Sequence, residues 1–249
     1  MGGRSAGSAV RLTLLDGFAL RTDGEALQLP VTLERVIAFV ALRQRGVHRA
    51  VAAGTLWPTA SEEHAQASLR SALWRLRCML RVPLVDGARD RLALDGDVAV
   101  DVHAQRAAVR RALDAATPYA GYCLELEGDL LPGWYEDWVL LERERLRQLR
   151  LHALEALTGR LIGAERHADA LETALAAIAG DPLRETAHQA LVRVHLAEGN
   201  VVEALRQYEA YSNLLRRHVG LEPSRRLREL VEPLLAGRPH GRGEAVRPS

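Results

Sequence analysis

The chain has 249 residues, 48% of them hydrophobic, and its 33 basic and 32 acidic residues leave a net charge of +1. Every basic residue is an arginine. Functions that need a lysine side chain, such as a P-loop lysine or a Schiff-base lysine, are therefore excluded. A GC-rich genome is sufficient to explain the bias towards arginine. No apolar run reaches the roughly 20 residues of a membrane-spanning helix, and residues 1–10 lack the apolar core of a secretory signal. We therefore expect a cytoplasmic protein that does not bind a membrane.

The first predicted elements are short strands followed by a helix. Residues 11–29 alternate apolar and polar side chains around two Asp-Gly pairs, a pattern typical of a small antiparallel meander. The segment from Pro30 to Gly46 then has helical spacing, with Thr32 as its predicted N-cap. Its apolar positions share one stripe that we expect to be buried: Leu33, Val36, Ile37, Val40 and Ala41.

Two more helices and a hairpin are predicted next. Residues 49–56 form a short helix that ends before Pro58. A longer helix follows the predicted N-cap Ser61, has acidic residues in its first turn, and extends to about Arg81. Residues 83–102 form two strand-like runs around an Asp-Gly turn. The predicted order is therefore a sheet, three helices and a hairpin.

The remainder of the chain is predicted to be helical. Residues 104–115 form one amphipathic helix, and a connector around residue 134 leads into a long helix. Two pairs of segments then match at a spacing of 34 residues, ALTGRLI with ALVRVHL and ADAL with VEAL. This period is typical of tetratricopeptide helix pairs. The two ends of the chain, residues 1–10 and 237–249, are predicted to be disordered.

The stretch QASLRSALWRLRCMLR, residues 66–81, carries four arginines and no acidic residue. Wound as a helix, its apolar side is predicted to be buried and consists of Ala65, Leu69, Ala72, Leu73, Leu76 and Leu80. The opposite side combines Ser71 and Trp74 with arginines that repel one another at helical spacing. The wider segment 31–81 contains eight arginines and three glutamates. An anionic partner would offset this repulsion.

A helix with this exposed side suits the major groove of DNA, where arginine forks onto guanine and serine reaches base edges or phosphates. The helix at residues 49–56 would cross the DNA backbone, and the hairpin would form a wing beside the groove. The predicted DNA-binding residues are Ser68, Arg70, Ser71, Trp74, Arg75, Arg77, Arg81, Arg89 and Arg91. A solvated basic helix within a protein interface is the alternative interpretation.

Four segments together resemble the Streptomyces antibiotic regulatory protein (SARP) family: LLDGFALRTDGEALQLP, LWPTASEEHAQASLRSALWRLRCML, VDGARDRLALDGDVAVDV and EGDLLPGWYEDWVLLERERLRQLRLHALEAL. The resemblance covers residues 11 to about 235, and its GDLLPGWYEDWVLLERERLR segment is the most specific part. It implies a mainly α fold with a small antiparallel β part. Residues 11–103 would be an OmpR-like winged helix-turn-helix domain, and residues 104–236 an all-α, tetratricopeptide-like bacterial transcriptional activator domain.

The resemblance also implies a function. It implies a sequence-specific DNA-binding transcription regulator, namely an activator that binds direct repeats in promoter double-stranded DNA, recruits RNA polymerase and acts in secondary metabolism. A nucleoid-associated location and a homodimer on DNA fit this role. Arg91 would take the wing position, and the other family positions on the recognition helix would fall on Ser68, Arg70, Ser71, Trp74, Arg75 and Arg77. The segment RAVAAGTL has fewer charges than is usual in the family, and no ATPase module follows, so we expect a short, stand-alone member.

Two other classes of function are considered. An enzyme is disfavoured because the nine histidines are scattered and the usual hydrolase, zinc-protease and dinucleotide motifs are missing from the sequence. A helical-repeat adaptor that binds proteins without specific DNA binding is the second alternative, and it should show no salt-dependent retention of random duplex DNA. We therefore expect no catalysis, no cofactor and no metal.

Two further expectations concern side-chain burial. Cys78 and Cys123 lack zinc-type spacing and are predicted to be small buried or semi-buried side chains. An apolar group before and within the long helix is predicted to form its packing seam and consists of Trp134, Tyr135, Trp138, Leu140 and Leu141.

Overall fold

The computed structural model describes residues 10–80, 84–86, 90–114 and 128–236. The chain divides into two compact units, the first comprising Met1–Val109 with Leu124–Gln148 and the second Arg110–Cys123 with Leu149–Ser249. The disorder predicted at the two ends lies outside the described residues, except at Val10, which begins a strand. Three residues of the sequence analysis also lie outside them: Arg81, Arg89 and Cys123.

The first unit contains the strands and the first helices. The strands are β1 Val10–Thr13, β2 Ala19–Thr22, β3 Glu25–Leu27, β4 Val47–His48, β5 Val85–Asp86, β6 Arg91–Leu94 and β7 Ala99–Val100. The helices are α1 Val31–Leu42, α2 Arg49–Leu56, α3 Glu62–Met79 and α4 Asp101–Leu113, whose last residues belong to the second unit. The predicted order of sheet, three helices and hairpin is confirmed.

The strands of this unit form two small sheets. The predicted meander is confirmed, because β2 pairs antiparallel with both β1 and β3. β7 adds a fourth strand parallel to β1, so the order is β3-β2-β1-β7. The predicted hairpin is β5 and β6, which pair antiparallel, and β4 pairs with the other edge of β6. Neither the parallel pairing nor β4 was predicted from the sequence.

The parallel pairing explains where α4 begins. It brings the end of β7 beside β1, and the carboxylate of Asp101 there accepts hydrogen bonds from the backbone N–H groups of Leu14 and Leu15, both at 2.9 Å. The same carboxylate accepts from Val102 N at 2.7 Å and so satisfies a donor at the start of the helix. The predicted start at residue 104 was therefore three residues late, because the anchoring N–H groups directly follow a strand that is distant in sequence.

α1 forms the centre of the first core. Its predicted stripe is buried, and so are Ala38, Phe39 and Leu42, because α3, α2 and β6 all pack against this helix. The prediction of Thr32 as the N-cap was wrong: the helix begins directly after Pro30, and no side chain caps it. Pro30 takes the capping position through its backbone, because its carbonyl accepts from Leu33 N at 2.8 Å and from Glu34 N at 3.2 Å.

The same core includes part of α5, which spans Asp137–Gly163. Trp138 packs edge-to-face on Phe39 with 5.3 Å between ring centroids, and Trp134 stacks on Phe18 at 6.1 Å. The predicted packing seam is therefore correct at Trp134 and Trp138 only. Tyr135, which precedes α5, is exposed. Leu140 and Leu141 are exposed because the helix buries the stripe of Trp138, Val139 and Leu146 and turns its other side outward.

The second unit is a series of helices with a regular repeat. After α5 these are α6 His167–Gly180, α7 Glu185–Ala197, α8 Val201–Val219 and α9 Arg225–Ala236. α5 and α7 end 34 residues apart, at Gly163 and Ala197, and α6 and α8 begin 34 residues apart, at His167 and Val201. The predicted tetratricopeptide period is thus confirmed at the helix ends.

The turns of the repeat share one backbone conformation. Glu165 and Gly199 both have positive φ, 57° and 74°, at equivalent places in the turns after α5 and α7. The next residue in each turn donates its N–H back into the preceding helix, from Arg166 to Leu161 O at 2.9 Å and from Asn200 to His195 O at 2.8 Å. These paired bonds satisfy carbonyls at each helix end and set the same reversal twice.

Candidate nucleic-acid interface

α3 is held in place by its cap and its buried stripe. The hydroxyl of Ser61 accepts from His64 N, and Glu62 and Glu63 occupy the first turn, where acidic side chains stabilise the positive end of the helix dipole. The predicted stripe is buried at Ala65, Leu69, Ala72, Leu73 and Leu76, and Leu80 is half-buried. These side chains pack against α1 and α2, so the opposite side of α3 faces outward.

The outward side carries the residues that the sequence predicted. We name it the cationic face, and it consists of Ser68, Arg70, Ser71, Trp74, Arg75 and Arg77. Ser68 is half-buried, the other five side chains are exposed, and Trp74 is exposed over 66% of its surface. Cys78 also lies exposed on this side of the helix, so the prediction that it is buried or semi-buried was wrong, because it projects away from Leu73 and Leu76.

The arginines of the cationic face have no partner within the described part of the chain. Arg70, Arg75 and Arg77 make neither hydrogen bonds nor ion pairs with described residues. Gln66 bonds to Glu62 at 3.1 Å, so an acidic side chain of the first turn is directed at a neutral partner. The positive charge of the helix is therefore available to an external anion.

Several other arginines of the first unit are paired. Glu142 accepts from Arg43 at 3.0 Å and from Arg106 at 2.9 Å, and it is largely buried between them. The guanidinium of Arg143 donates to three backbone carbonyls, those of Leu130, Leu131 and Trp134. Such contacts stabilise the fold and leave little capacity for a ligand, which separates these side chains from the cationic face.

The helix before α3 has the position expected of the first helix in a helix-turn-helix. α2 buries Ala52, Ala53 and Leu56, and its last carbonyl, at Leu56, accepts from the guanidinium of Arg35 at 3.0 Å. Arg35 also pairs with Glu136 at 2.8 Å. The C-terminal end of α2, and with it the turn into α3, is thereby tied to the core.

Arg91 of the predicted wing has a structural contact of its own. Its guanidinium donates to Arg45 O at 3.0 Å and to Gly46 O at 3.1 Å, and it lies 3.3 Å from the Nε2 atom of His48. Gly46 has φ of +73°, and a Cβ there would lie 2.9 Å from Leu92 O. Arg91 therefore stabilises, through hydrogen bonds, a tight turn in which position 46 requires glycine. Its side chain does not extend freely from the wing.

Arg45 is a candidate that the sequence analysis did not single out. Its side chain is exposed and has no partner among the described residues, whereas its backbone carbonyl is held by Arg91. The available signal was its place in the basic segment 31–81. That signal was ambiguous, because the neighbouring Arg43 in the same run is paired with Glu142.

Three observations concern metal-type clusters, membrane-length helices and the buried histidine of the second unit. Within the described ranges, no three His, Cys, Asp or Glu side chains are grouped as metal ligands would be. No described helix is both long and apolar enough to cross a membrane. The buried His188 stacks on Tyr211 with 4.1 Å between ring centroids and bonds to Pro182 O at 2.9 Å, a packed arrangement rather than an open site.

Comparisons with known proteins place this geometry in a family context. Residues 86–235 match the family described as the bacterial transcriptional activator domain. The chain is 28% identical to the regulatory protein AfsR of Streptomyces coelicolor and 29% identical to the AfsR of Streptomyces griseus, over 93% and 91% of its length. It spans about a quarter of the length of these relatives, 25% and 24%.

A solved structure shares the fold. Mycobacterium tuberculosis EmbR, determined in complex with a low affinity phosphopeptide, superposes with a TM-score of 0.73 over 94% of this chain and 66% of EmbR. The two sequences are 21% identical. This likeness confirms the predicted fold class, a mainly α protein with a small antiparallel β part, in which a winged helix-turn-helix precedes a helical-repeat part.

Proposed function

Because the chain belongs to the bacterial transcriptional activator domain family, we propose that it is a DNA-binding transcription regulator that reads specific sequences with the cationic face of α3. The resemblance to the SARP family is confirmed by this membership and by the AfsR relatives. The family is one of transcription regulators rather than enzymes. The observation that carries the proposal is the set of three exposed arginines, Arg70, Arg75 and Arg77, without partners among the described residues.

In this proposal α3 lies in the major groove. An arginine guanidinium can donate two parallel hydrogen bonds to O6 and N7 of guanine or to a phosphate. The acidic first turn, Glu62 and Glu63, would repel phosphates, so contact begins about one turn later, at Ala67, and extends to Cys78. In the same proposal α2 crosses the DNA backbone. Arg45, whose carbonyl accepts from Arg91, lies close to the DNA backbone and contacts a phosphate.

The remaining parts of the proposal concern the whole protein. We propose that residues 11–103 bind DNA and that residues 104–236 act in activation, with direct repeats in a promoter as the target and RNA polymerase as the partner. A homodimer on adjacent repeats and a place at the nucleoid follow from that role. Helical repeats suit it, because stacked repeats present an extended surface to other proteins.

A salt titration of DNA binding tests the proposal. For about five phosphate contacts, the logarithm of the affinity should fall with the logarithm of salt concentration at a slope of roughly −4 to −5. Replacing Arg70, Arg75 and Arg77 together by alanine should weaken binding strongly and reduce the magnitude of the slope by up to about three units.

A matched control separates a site from general charge. The triple variant of Arg110, Arg193 and Arg226 to alanine removes the same charge from exposed side chains of the second unit that likewise have no partner among the described residues. It should bind like the wild type. Equal loss in both triple variants would indicate nonspecific attraction, and a wild-type protein without salt-dependent binding would favour the adaptor alternative.

A further inference from the structure

Trp74 is the anomalous residue of the cationic face. It is the largest apolar side chain there, and 66% of its surface is exposed. Tryptophan is usually largely buried, since its ring system removes about 150–250 Å² of surface from water on burial. α3 does not need this side chain for packing, because its buried stripe is complete without it. The indole lies among arginines that have no partner in the described chain, so it leaves a flat apolar surface that a bound ligand would cover.

The neighbours of Trp74 define what that ligand presents. Along the helix Trp74 has Arg70 and Ser71 one turn before it and Arg77 one turn after it, all exposed. At about 1.5 Å of rise per residue, Arg70 and Arg77 lie roughly 6 and 5 Å from it along the axis. Arg70, Trp74 and Arg77 therefore span about 11 Å of the helix axis, on a helix that a major groove about 12 Å wide admits. The surface therefore presents a flat apolar ring, the indole of Trp74, surrounded by arginine and serine hydrogen-bond donors.

The bases offer one apolar group in the major groove that can pack on the indole ring of Trp74. It is the C5-methyl of thymine, since the other edges there present hydrogen-bond donors and acceptors. Resting on the proposed function, we propose that Trp74 determines specificity by packing its indole on thymine methyl groups. Arg70 and Arg75 contact the polar edges or phosphates on either side. The target sequence therefore contains thymine at the step that faces the centre of α3.

The inference is tested by removing the methyl group from the DNA. The full-length protein first selects its preferred duplex from a random library. The affinity is then measured for that duplex and for the same duplex with deoxyuridine in place of each thymidine in turn, which removes only the C5-methyl. At the step that Trp74 contacts, the wild type should bind the uracil duplex about fourfold more weakly, as expected for the transfer of one methyl-sized group.

Variants complete the thermodynamic cycle. Trp74→Ala should bind the thymine and uracil duplexes equally, and Trp74→Phe should keep part of the preference. Tyr135→Ala is the matched control, because Tyr135 is an aromatic side chain of the same unit that is 77% exposed and lies outside α3. It should keep the full thymine preference. Thermal unfolding of each variant should match the wild type, because neither aromatic side chain is buried.

The possible outcomes are distinct. A thymine preference that disappears in Trp74→Ala supports the inference. A wild type that does not distinguish uracil from thymine at any step overturns it, and so does a Trp74→Ala variant that retains the preference. If Trp74→Ala binds DNA normally but loses association with another protein, the side chain belongs to a protein interface and the inference is wrong. If no duplex is selected at all, the proposed function fails first, and the inference fails with it.

Discussion

Three arginines of α3 and two arginines of the second unit differ in what their guanidinium groups contact. In the second unit, Arg184 pairs with Glu155 at 2.5 Å, and Arg160 donates to the carbonyl of Ala112 at 3.2 Å. On α3, Arg70, Arg75 and Arg77 contact no described residue. Both regions are equally free of lysine, so amino-acid choice does not cause the difference.

The difference shows that an abundance of arginine is not itself evidence of a binding surface. Where a carboxylate or a helix-end carbonyl lies within reach, the guanidinium stabilises the fold. Where the charges nearby are also cationic, as on α3, an external anion can compensate them. Changes on the two kinds of surface should therefore alter different measured quantities, stability in one case and affinity in the other.

The largest effect is expected from two adjacent residues on opposite sides of α3. Leu73→Ala should lower the free energy of unfolding by about 2–5 kcal/mol, because it leaves a cavity in the core, and should abolish DNA binding. Trp74→Ala should change stability by less than about 0.5 kcal/mol, because the side chain is exposed. Urea unfolding followed by circular dichroism measures both. Equal losses would contradict the assignment of Leu73 to the buried side and Trp74 to the exposed side of α3.

A second prediction concerns the paired arginines. Glu142→Gln should lower the free energy of unfolding by about 1–3 kcal/mol, because Arg43 and Arg106 lose a charged acceptor in a partly buried place. Glu144→Gln is the control: its pair with Arg147 lies on the surface, where ion pairs contribute about 0–1 kcal/mol. If both variants unfold alike, Glu142 does not organise this core.

The third prediction separates arginines that contact DNA bases from an arginine that stabilises the fold. Arg70→Ala or Arg75→Ala should cost about 1–3 kcal/mol of DNA affinity and relax the preference at one base pair, with an unchanged melting temperature. Arg91→Ala should weaken binding to all sequences and also lower the melting temperature, because the carbonyls of Arg45 and Gly46 lose their donor. Random-site selection paired with melting curves tests this. If Arg70→Ala and Arg75→Ala both select the wild-type motif at wild-type strength, α3 does not read DNA.

The smallest expected effect is a pH dependence in the repeat unit. Burial lowers the pKa of His188 below its ordinary value of 6.5, although its bond to Pro182 and the nearby Glu185 oppose this. The neutral ring both donates to Pro182 O and accepts from Gln207 at 2.7 Å. The unfolded chain therefore binds a proton first on acidification, and stability should fall as the pH drops from about 6.5 towards the folded pKa.

His188→Gln provides the comparison for this prediction. The variant lacks a titrating ring, so its melting temperature should fall less between pH 7 and pH 5 than that of the wild type. The starting stability at pH 7 will be lower in the variant because the stacking on Tyr211 is lost. Parallel pH profiles for both proteins would contradict the assignment of this dependence to His188.

Local spacing accounts for the elements that were predicted well. The stripe of Leu69, Leu73 and Leu76 on α3 repeats at helical intervals, and the 34-residue match between α6 and α8 follows from repeated sequence. These patterns depend on neighbours within one or two turns, so they can be read directly. The N-cap at Ser61 is confirmed for the same reason, because the capping bond reaches only three residues.

Contacts between distant segments account for what was missed. Nothing near Asp101 in the sequence indicates that Leu14 and Leu15 will donate to it, and the burial of Trp138 depends on Phe39. Arg91 likewise matched a wing position by sequence, whereas in the fold its guanidinium donates to backbone carbonyls some 45 residues away. Each of these outcomes depends on a pairing of strands or helices that local periodicity does not encode.

The amino-acid sequence by itself therefore determined which side of α3 is apolar, how the repeat helices are spaced and where positive charge accumulates, because these properties depend on side-chain identity at short intervals. Only the tertiary structure decided which arginines are neutralised. Arg43 and Arg106 meet Glu142, whereas Arg70, Arg75 and Arg77 meet no described acid. The physical reason is that a charge is compensated by whatever the fold brings within about 4 Å of it, and for these three arginines the described chain brings nothing.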